Sequence, residues 1–101
     1  WKMTEVLMDP GDGSGTFHSV GSNKTLEFFA DGTITSNGSL CTNSIETNFP
    51  DTGTFSLSDS TITSTQCYDD LPLKIRFLHK GEVLTIWYPC IEPCGARFRK
   101  M

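Results

Sequence analysis

Short runs of β-prone residues, each ended by Gly, Asn, Asp or Pro, recur along the chain from Trp1 to Arg99. About eight such runs fit into the sequence, and no segment shows a sustained helical period. This pattern is typical of a small antiparallel barrel or sandwich, and successive hairpins without a crossover helix favour the barrel, which leaves no exposed edge. The sequence therefore predicts an all-β fold, a single-domain, eight-stranded, up-and-down antiparallel barrel over residues 1–101.

Three hairpins follow from the turn residues. The clearest spans residues 25–36, because an Asp-Gly pair at its centre supplies the positive φ angles that a tight turn requires. Two further hairpins are predicted over residues 53–67 and 73–88, each with a polar turn. Residues 9–23 begin with a Gly-rich stretch and predict a long loop, which is a candidate lid for the mouth of the barrel.

Composition limits the size of the core and the kinds of molecule that the protein can bind. Hydrophobic residues make up 37% of the chain and the net charge is −4, so we expect a thin core and no binding to nucleic acid. Acidic residues dominate residues 1–70 and basic residues dominate 71–101, where Arg97, Arg99 and Lys100 form a cluster. We expect this cluster to lie on a solvated last strand and to attract acidic neighbours.

The four cysteines favour an exported protein, located in the periplasm, at the cell surface or outside the cell, because disulfides support small domains with little core. Several pairings are possible, and we favour Cys41–Cys67 with Cys90–Cys94. A tetrahedral zinc site is an alternative, although zinc ligands usually come as two close pairs and Cys41 and Cys67 are isolated. Free or redox-active thiols are a further alternative.

No motif in the sequence indicates a catalysed reaction. A Gly-x-Ser-x-Gly elbow is absent from the sequence. Asp9 and Asp12 offer carboxylates for calcium, but a calcium loop needs an acid at the position of Val20. His18 and His79 adjoin loop residues and are expected to be exposed. We therefore expect no enzymatic activity, no bound metal and no cofactor.

Glu5 is the acidic side chain most directly tied to a binding hypothesis. Trp1, Met3 and Leu7 alternate along the first strand, and Glu5 shares their parity, so we expect all four to face inward. A buried carboxylate needs a partner, which would be an arginine or Tyr88. The alternative is that Glu5 orients a bound ligand.

Apolar positions on the other strands form either the core or the lining of a small cavity. The inner face is predicted to hold Leu26, Phe28, Phe55, Leu57, Ile75, Phe77, Leu84, Ile86 and Phe98. The candidate ligand contacts are Glu5, Phe28, Phe55, Phe77, Ile86 and Tyr88.

Several phrases of the sequence resemble a known family. These are the initial Trp, the Gly-rich loop, residues 26–33 with Phe-Phe-Ala-Asp-Gly-Thr, residues 53–57 with Gly-Thr-Phe-Ser-Leu, and the runs 75–78 and 83–86. Together they resemble small lipocalin-like (calycin-type) proteins of Bacteroidetes-type bacteria, which are secreted proteins or lipoproteins. The resemblance implies a barrel closed at one end by a Trp–Arg contact.

In this chain that structural contact would join Trp1 to Arg97 or Arg99 as a stacked cation–π pair. The eight-strand count and the long loop lead us to expect non-catalytic binding of a small apolar or amphipathic ligand. The alternative is a filled barrel whose surface acts as an envelope protein-interaction or inhibitor module.

Overall fold

A computed structural model describes residues 1–8, 15–64, 73–88 and 94–101; for residues 8, 73 and 74 it describes the backbone alone. Within these residues every regular element is a β-strand. The strands are β1 (Lys2–Met8), β2 (Phe17–Ser19), β3 (Leu26–Phe28), β4 (Thr33–Ser36), β5 (Asp51–Ser56), β6 (Thr61–Ser64), β7 (Leu73–Lys80), β8 (Val83–Tyr88) and β9 (Cys94–Arg99). The part of the chain that the structure describes contains no helix long and apolar enough to cross a membrane.

All nine strands of the described residues belong to one antiparallel sheet in the order β2-β1-β9-β8-β7-β6-β5-β4-β3. The pairing of β1 with β9 joins the two ends of the chain, and the sheet curls into a half-barrel. Its opening narrows where β3 approaches β1, since Met3 N donates to Lys24 O at 2.9 Å and Leu26 N donates to Trp1 O at 2.8 Å. The predicted all-β antiparallel architecture is confirmed.

The strand count is nine rather than eight because part of the predicted loop 9–23 forms β2. Phe17–Ser19 pairs with β1, with Val6 opposite His18, and Val20 N donates to Thr4 O at 3.0 Å. β1 has one edge on β9, and the start of its second edge bonds to residues 24–26. β2 pairs with the rest of that edge, residues 5–7, and satisfies backbone groups that a loop would leave to water.

The turns of the three hairpins lie at one end of the sheet, which we call the mouth (residues 29–32, 57–60 and 81–82). Gly32 has φ 91° and Gly81 has φ 57°, the left-handed region that glycine adopts without strain. Asp31 accepts hydrogen bonds from Thr33 N at 3.0 Å and Thr33 Oγ1 at 2.6 Å. These bonds lower the pKa of the Asp31 carboxyl, which stays ionised in the turn.

The core lies on the concave face of the sheet. Directly paired residues share a face, so Phe77, Ile86, Ala96 and Val6 form one inward row across four strands. The largest buried apolar side chains are Met3, Ile34, Ile62, Ile75, Leu84, Ile86 and Phe98. The prediction that Leu57 faces inward is wrong, because it follows β5 in the turn and is 75% exposed.

Candidate functional site

A cavity of about 330 Å³ opens at the mouth, between the hairpin turns and the first residue. It is lined by Trp1, Phe28, Phe29, Ala30, Phe55, Leu57, Phe77, His79 and Leu84. Most of these side chains are aromatic or aliphatic, and they come from strands or turns that the curled sheet brings around one opening. None of residues 15–23 lines it, and the rest of the predicted lid, residues 9–14, lies outside the described residues.

Three phenylalanines form one wall of the cavity. The rings of Phe28 and Phe55 meet edge to face, with centroids 5.0 Å apart and planes at 81°. Phe28 also lies 6.1 Å from Phe77. Such aromatic contacts contribute about 0.5–1.5 kcal/mol beyond the buried area. All three residues were predicted as ligand contacts, and the structure places them together.

His79 and Trp1 supply the polar groups at the rim. Their rings meet edge to face with centroids 5.2 Å apart. His79 Nε2–H donates to Gly81 O at 2.8 Å, which fixes the ring against the β7–β8 turn. His79 is exposed, as the sequence predicts, but its place in the cavity lining was not predicted. It lies two residues after Phe77 on one strand and therefore on the same face.

Ile86 and Tyr88, two further predicted contacts, do not line the cavity. They follow Leu84 at alternate positions on β8, so the strand carries them away from the mouth and into the core. Both are buried, and burial raises the pKa of the Tyr88 phenol well above its usual range. Ile86 and Tyr88 are therefore core residues and do not contact the cavity.

The expectation that Glu5 faces inward is wrong. The pairing of β1 with β9 shifts between Met3 and Glu5, and this irregularity reverses the facing of every later residue of β1. Glu5 is therefore opposite Arg97 on the convex face, where its carboxylate lies 3.5 Å from the Arg97 guanidinium. Its partner is an arginine, but both side chains are partly exposed.

The expected stacking of Trp1 on Arg97 or Arg99 is not formed. The Arg97 guanidinium lies instead 3.9 Å from the centre of the Phe17 ring, which β2 brings to the convex face. Arg99 is opposite Lys2 and Val83, also on that face. Trp1 packs against the core from the concave side. The sheet separates the two predicted partners.

Lys24 is a buried cation that the sequence analysis did not identify. Its Nζ donates to Thr42 O at 3.1 Å and to Ser44 O at 3.0 Å. Burial lowers the pKa of Lys24 to about 8, while the nearby Asp51 carboxylate opposes the shift. Asp51 is itself buried and accepts a hydrogen bond from Leu40 N at 2.9 Å. This polar cluster fastens the segment 37–50 to the sheet.

The cysteines give no metal centre within the described residues, where no group of three or more His, Cys, Asp and Glu side chains could hold an ion. Cys41 and Cys94 are not free thiols. Cys67 and Cys90 lie outside the described residues, so the pairing Cys41–Cys67 with Cys90–Cys94 stays a prediction.

Residues 1–76 match the model of a protein family described as a lipocalin-like domain. The match includes β1–β6 and the first residues of β7, and thus the strands that carry Phe28 and Phe55. No curated protein and no solved structure matches the chain at a significant level.

Proposed function

Since this chain belongs to the family of lipocalin-like domains, we propose that it is a non-catalytic protein that binds one small apolar or amphipathic molecule in the mouth cavity. The observation that supports the proposal most is the wall formed by Phe28, Phe55 and Phe77 beside open space of about 330 Å³. Ligand pockets measure roughly 300–1,000 Å³, so this one suits a small ligand or one end of a longer molecule.

The arrangement of polar and apolar groups suggests how the ligand lies. The phenylalanine wall offers only carbon surface, while His79 and the Trp1 indole stand at the rim. Leu57 and Phe29 extend the apolar lining onto exposed turns. A ligand with an apolar body and a polar end would place the body against the phenylalanines and the polar end beside His79, where water remains accessible.

The test is a titration of the monomer with N-phenyl-1-naphthylamine, an apolar dye whose fluorescence rises on burial, followed by displacement with fatty acids. Ala30→Trp places a large ring at the cavity edge and should weaken dye binding at least tenfold. Asn48→Trp, in an exposed segment away from the mouth, is the matched control and should bind like the parent protein. Absence of saturable binding to the monomer would refute the proposal.

The alternative, a filled barrel that acts through its surface, has less support because the interior opens into a cavity lined by Phe55 and Leu84. It predicts that Ala30→Trp and Asn48→Trp behave alike in every ligand assay. Loss of dye binding only in Ala30→Trp would exclude it.

We also propose that the protein is exported and oxidised. Support comes from Cys41 and Cys94, neither of which is a free thiol. Intact-mass measurement of protein from an oxidising compartment, before and after reduction, should show a gain of about four hydrogens on reduction if both disulfides form. An unchanged mass would contradict the oxidised state.

A further inference from the structure

Register in the sheet gathers cations on the convex face of β7, β8, β9 and β1. Lys80 is opposite Val83, Val83 is opposite Arg99, and Arg99 is opposite Lys2, so one row across four strands carries three positive charges. Neighbouring strands are about 4.8 Å apart, which spreads this row over roughly 14 Å. Arg97 is two residues before Arg99 on β9, so its side chain lies on the same face.

Most of these charges lack a counterion among the described residues. Arg97 forms an ion pair with Glu5 at 3.5 Å. Within the described residues, Lys2, Lys80 and Arg99 form no ion pair. Like charges directly opposite each other, as in Lys2 and Arg99, destabilise a sheet. The expected attraction of acidic neighbours to the basic cluster is thus limited to Glu5, and the face has a net positive charge within an acidic protein.

Apolar side chains lie among the cations. Leu78 is 50% exposed on the strand that also carries Lys80, and Trp87 is 41% exposed on β8. The row that contains Leu78 continues through Thr85 to Arg97. A shallow groove of about 420 Å³ runs over this part of the face, and Leu78, Val83 and the basic side chains line it.

We propose that this convex face, made by Lys2, Leu78, Lys80, Trp87 and Arg99, docks on the surface of a membrane that contains anionic phospholipids. Lysine and arginine attract such a surface, and exposed Leu and Trp side chains enter the boundary between headgroups and acyl chains. The cations are spread along a row, which suits many headgroups better than one phosphate. Trp87 packs on one side against the Phe17 ring, with centroids 5.7 Å apart. An acidic peptide would satisfy the cations but leave the exposed surfaces of Leu78 and Trp87 in water.

The test is co-sedimentation of the full chain with phosphatidylcholine vesicles that contain or lack phosphatidylglycerol. Binding should require phosphatidylglycerol and should be lost in high salt, which screens exposed charges. Each cation near the surface contributes about fivefold in partitioning, so Lys80→Gln with Arg99→Gln should weaken binding about 25-fold. The charge-matched control is Thr52→Glu with Thr54→Glu, on exposed positions of β5, and it should keep most of the binding.

Orientation is tested through Trp87 in a Trp1→Phe background, where it is the remaining tryptophan. Lipids brominated near the headgroup should quench Trp87 fluorescence, and Leu78→Ser should reduce both binding and quenching. Equal binding to neutral vesicles, equal losses in the two charge variants, or bound protein without quenching of Trp87 would each overturn the proposal. So would capture by polyglutamate without any binding to vesicles.

Discussion

The Lys24 Nζ donates a hydrogen bond to the carbonyl oxygen of Ser44 at 3.0 Å, in an interior where the Lys24 side chain is 0% exposed. A second bond runs to Thr42 O at 3.1 Å. A fully buried lysine is rare because desolvation disfavours its charged form. Here two backbone carbonyls and the nearby Asp51 carboxylate offset part of that cost. The Lys24 amine thus holds the segment 37–50 to the sheet through hydrogen bonds.

The stability of the protein should therefore depend on pH through Lys24. The pKa of Lys24 is lowered from 10.5 to about 8 by burial, so between these values the unfolded chain binds a proton that the folded chain does not. The free energy of unfolding therefore rises with pH in that window. This gain is lost progressively as the pH falls from 10.5 to about 8, below which both states bind the proton. The neutral amine still has two N–H groups with which to bond both carbonyls.

Urea unfolding of the parent protein and of Lys24→Met at pH 7.5, 9 and 10.5 measures this contribution. The parent should gain about 1–3 kcal/mol relative to Lys24→Met between the two extremes, because each pH unit of the window is worth at most about 1.4 kcal/mol. Lys100→Met, at an exposed position, should track the parent. Parallel stability profiles for the parent and Lys24→Met would contradict a titrating buried lysine.

Local sequence determines the parts of the fold that were predicted correctly. The hairpin of β3 and β4 follows from Asp31-Gly32, where the carboxylate caps the turn and glycine takes the positive φ. Phe28, Phe55 and Phe77 line the cavity because alternation on a short, regular strand fixes which side chains share a face.

Features that depend on contacts between distant strands were not predictable in this way. The irregularity between Met3 and Glu5 arises from the pairing of β1 with β9, and no local sequence pattern predicts it. Its effect is large, since one extra residue moves Glu5 to the convex face. Lys24 was missed for a similar reason, because its partners Thr42 and Ser44 belong to an irregular segment whose path the sequence does not specify.

Close approach of strands should make Gly53 intolerant of any side chain. A Cβ added at Gly53 would lie 2.5 Å from Thr63 O on the neighbouring strand and 3.3 Å from Leu40 Cδ1. Backbone on one side and a buried side chain on the other leave little room to relax, so Gly53→Ala should lower the free energy of unfolding by about 1–3 kcal/mol.

The matched control for that substitution is Gly21→Ala, where an added Cβ would meet nothing within 4 Å. It should leave the urea midpoint unchanged or raise it slightly, because alanine restricts the unfolded chain. Equal midpoints for the two variants would show that β5 and β6 can separate at no cost.

The contact of Glu5 with Arg97 should contribute little to stability. Both side chains are partly exposed and their charged atoms are 3.5 Å apart, and such pairs are worth about 0–1 kcal/mol. A double-mutant cycle with Glu5→Gln and Arg97→Gln should therefore give a coupling below about 1 kcal/mol that shrinks in high salt. The cycle of Arg97→Gln with Phe17→Leu should keep its coupling in salt better, because the guanidinium covers the ring at 3.9 Å.

Phe28 should control the size of the ligand that the cavity accepts. Its ring lines the cavity and contacts both Phe55 and Phe77, so Phe28→Ala removes two aromatic contacts and enlarges the space. Because Phe28 is only half-buried, we expect a loss of about 2 kcal/mol in unfolding free energy, less than for a fully buried phenylalanine.

The informative readout is a displacement series with fatty acids of increasing chain length. In Phe28→Ala the best-bound chain should be longer than in the parent, because the space left by the ring adds to the cavity that Phe28 lines. Phe49→Ala removes the same atoms from a ring that is 71% exposed, and it should alter neither stability nor chain-length preference. If Phe28→Ala lowers stability while the preferred length stays constant, the phenylalanine wall belongs to the core alone and the ligand binds elsewhere.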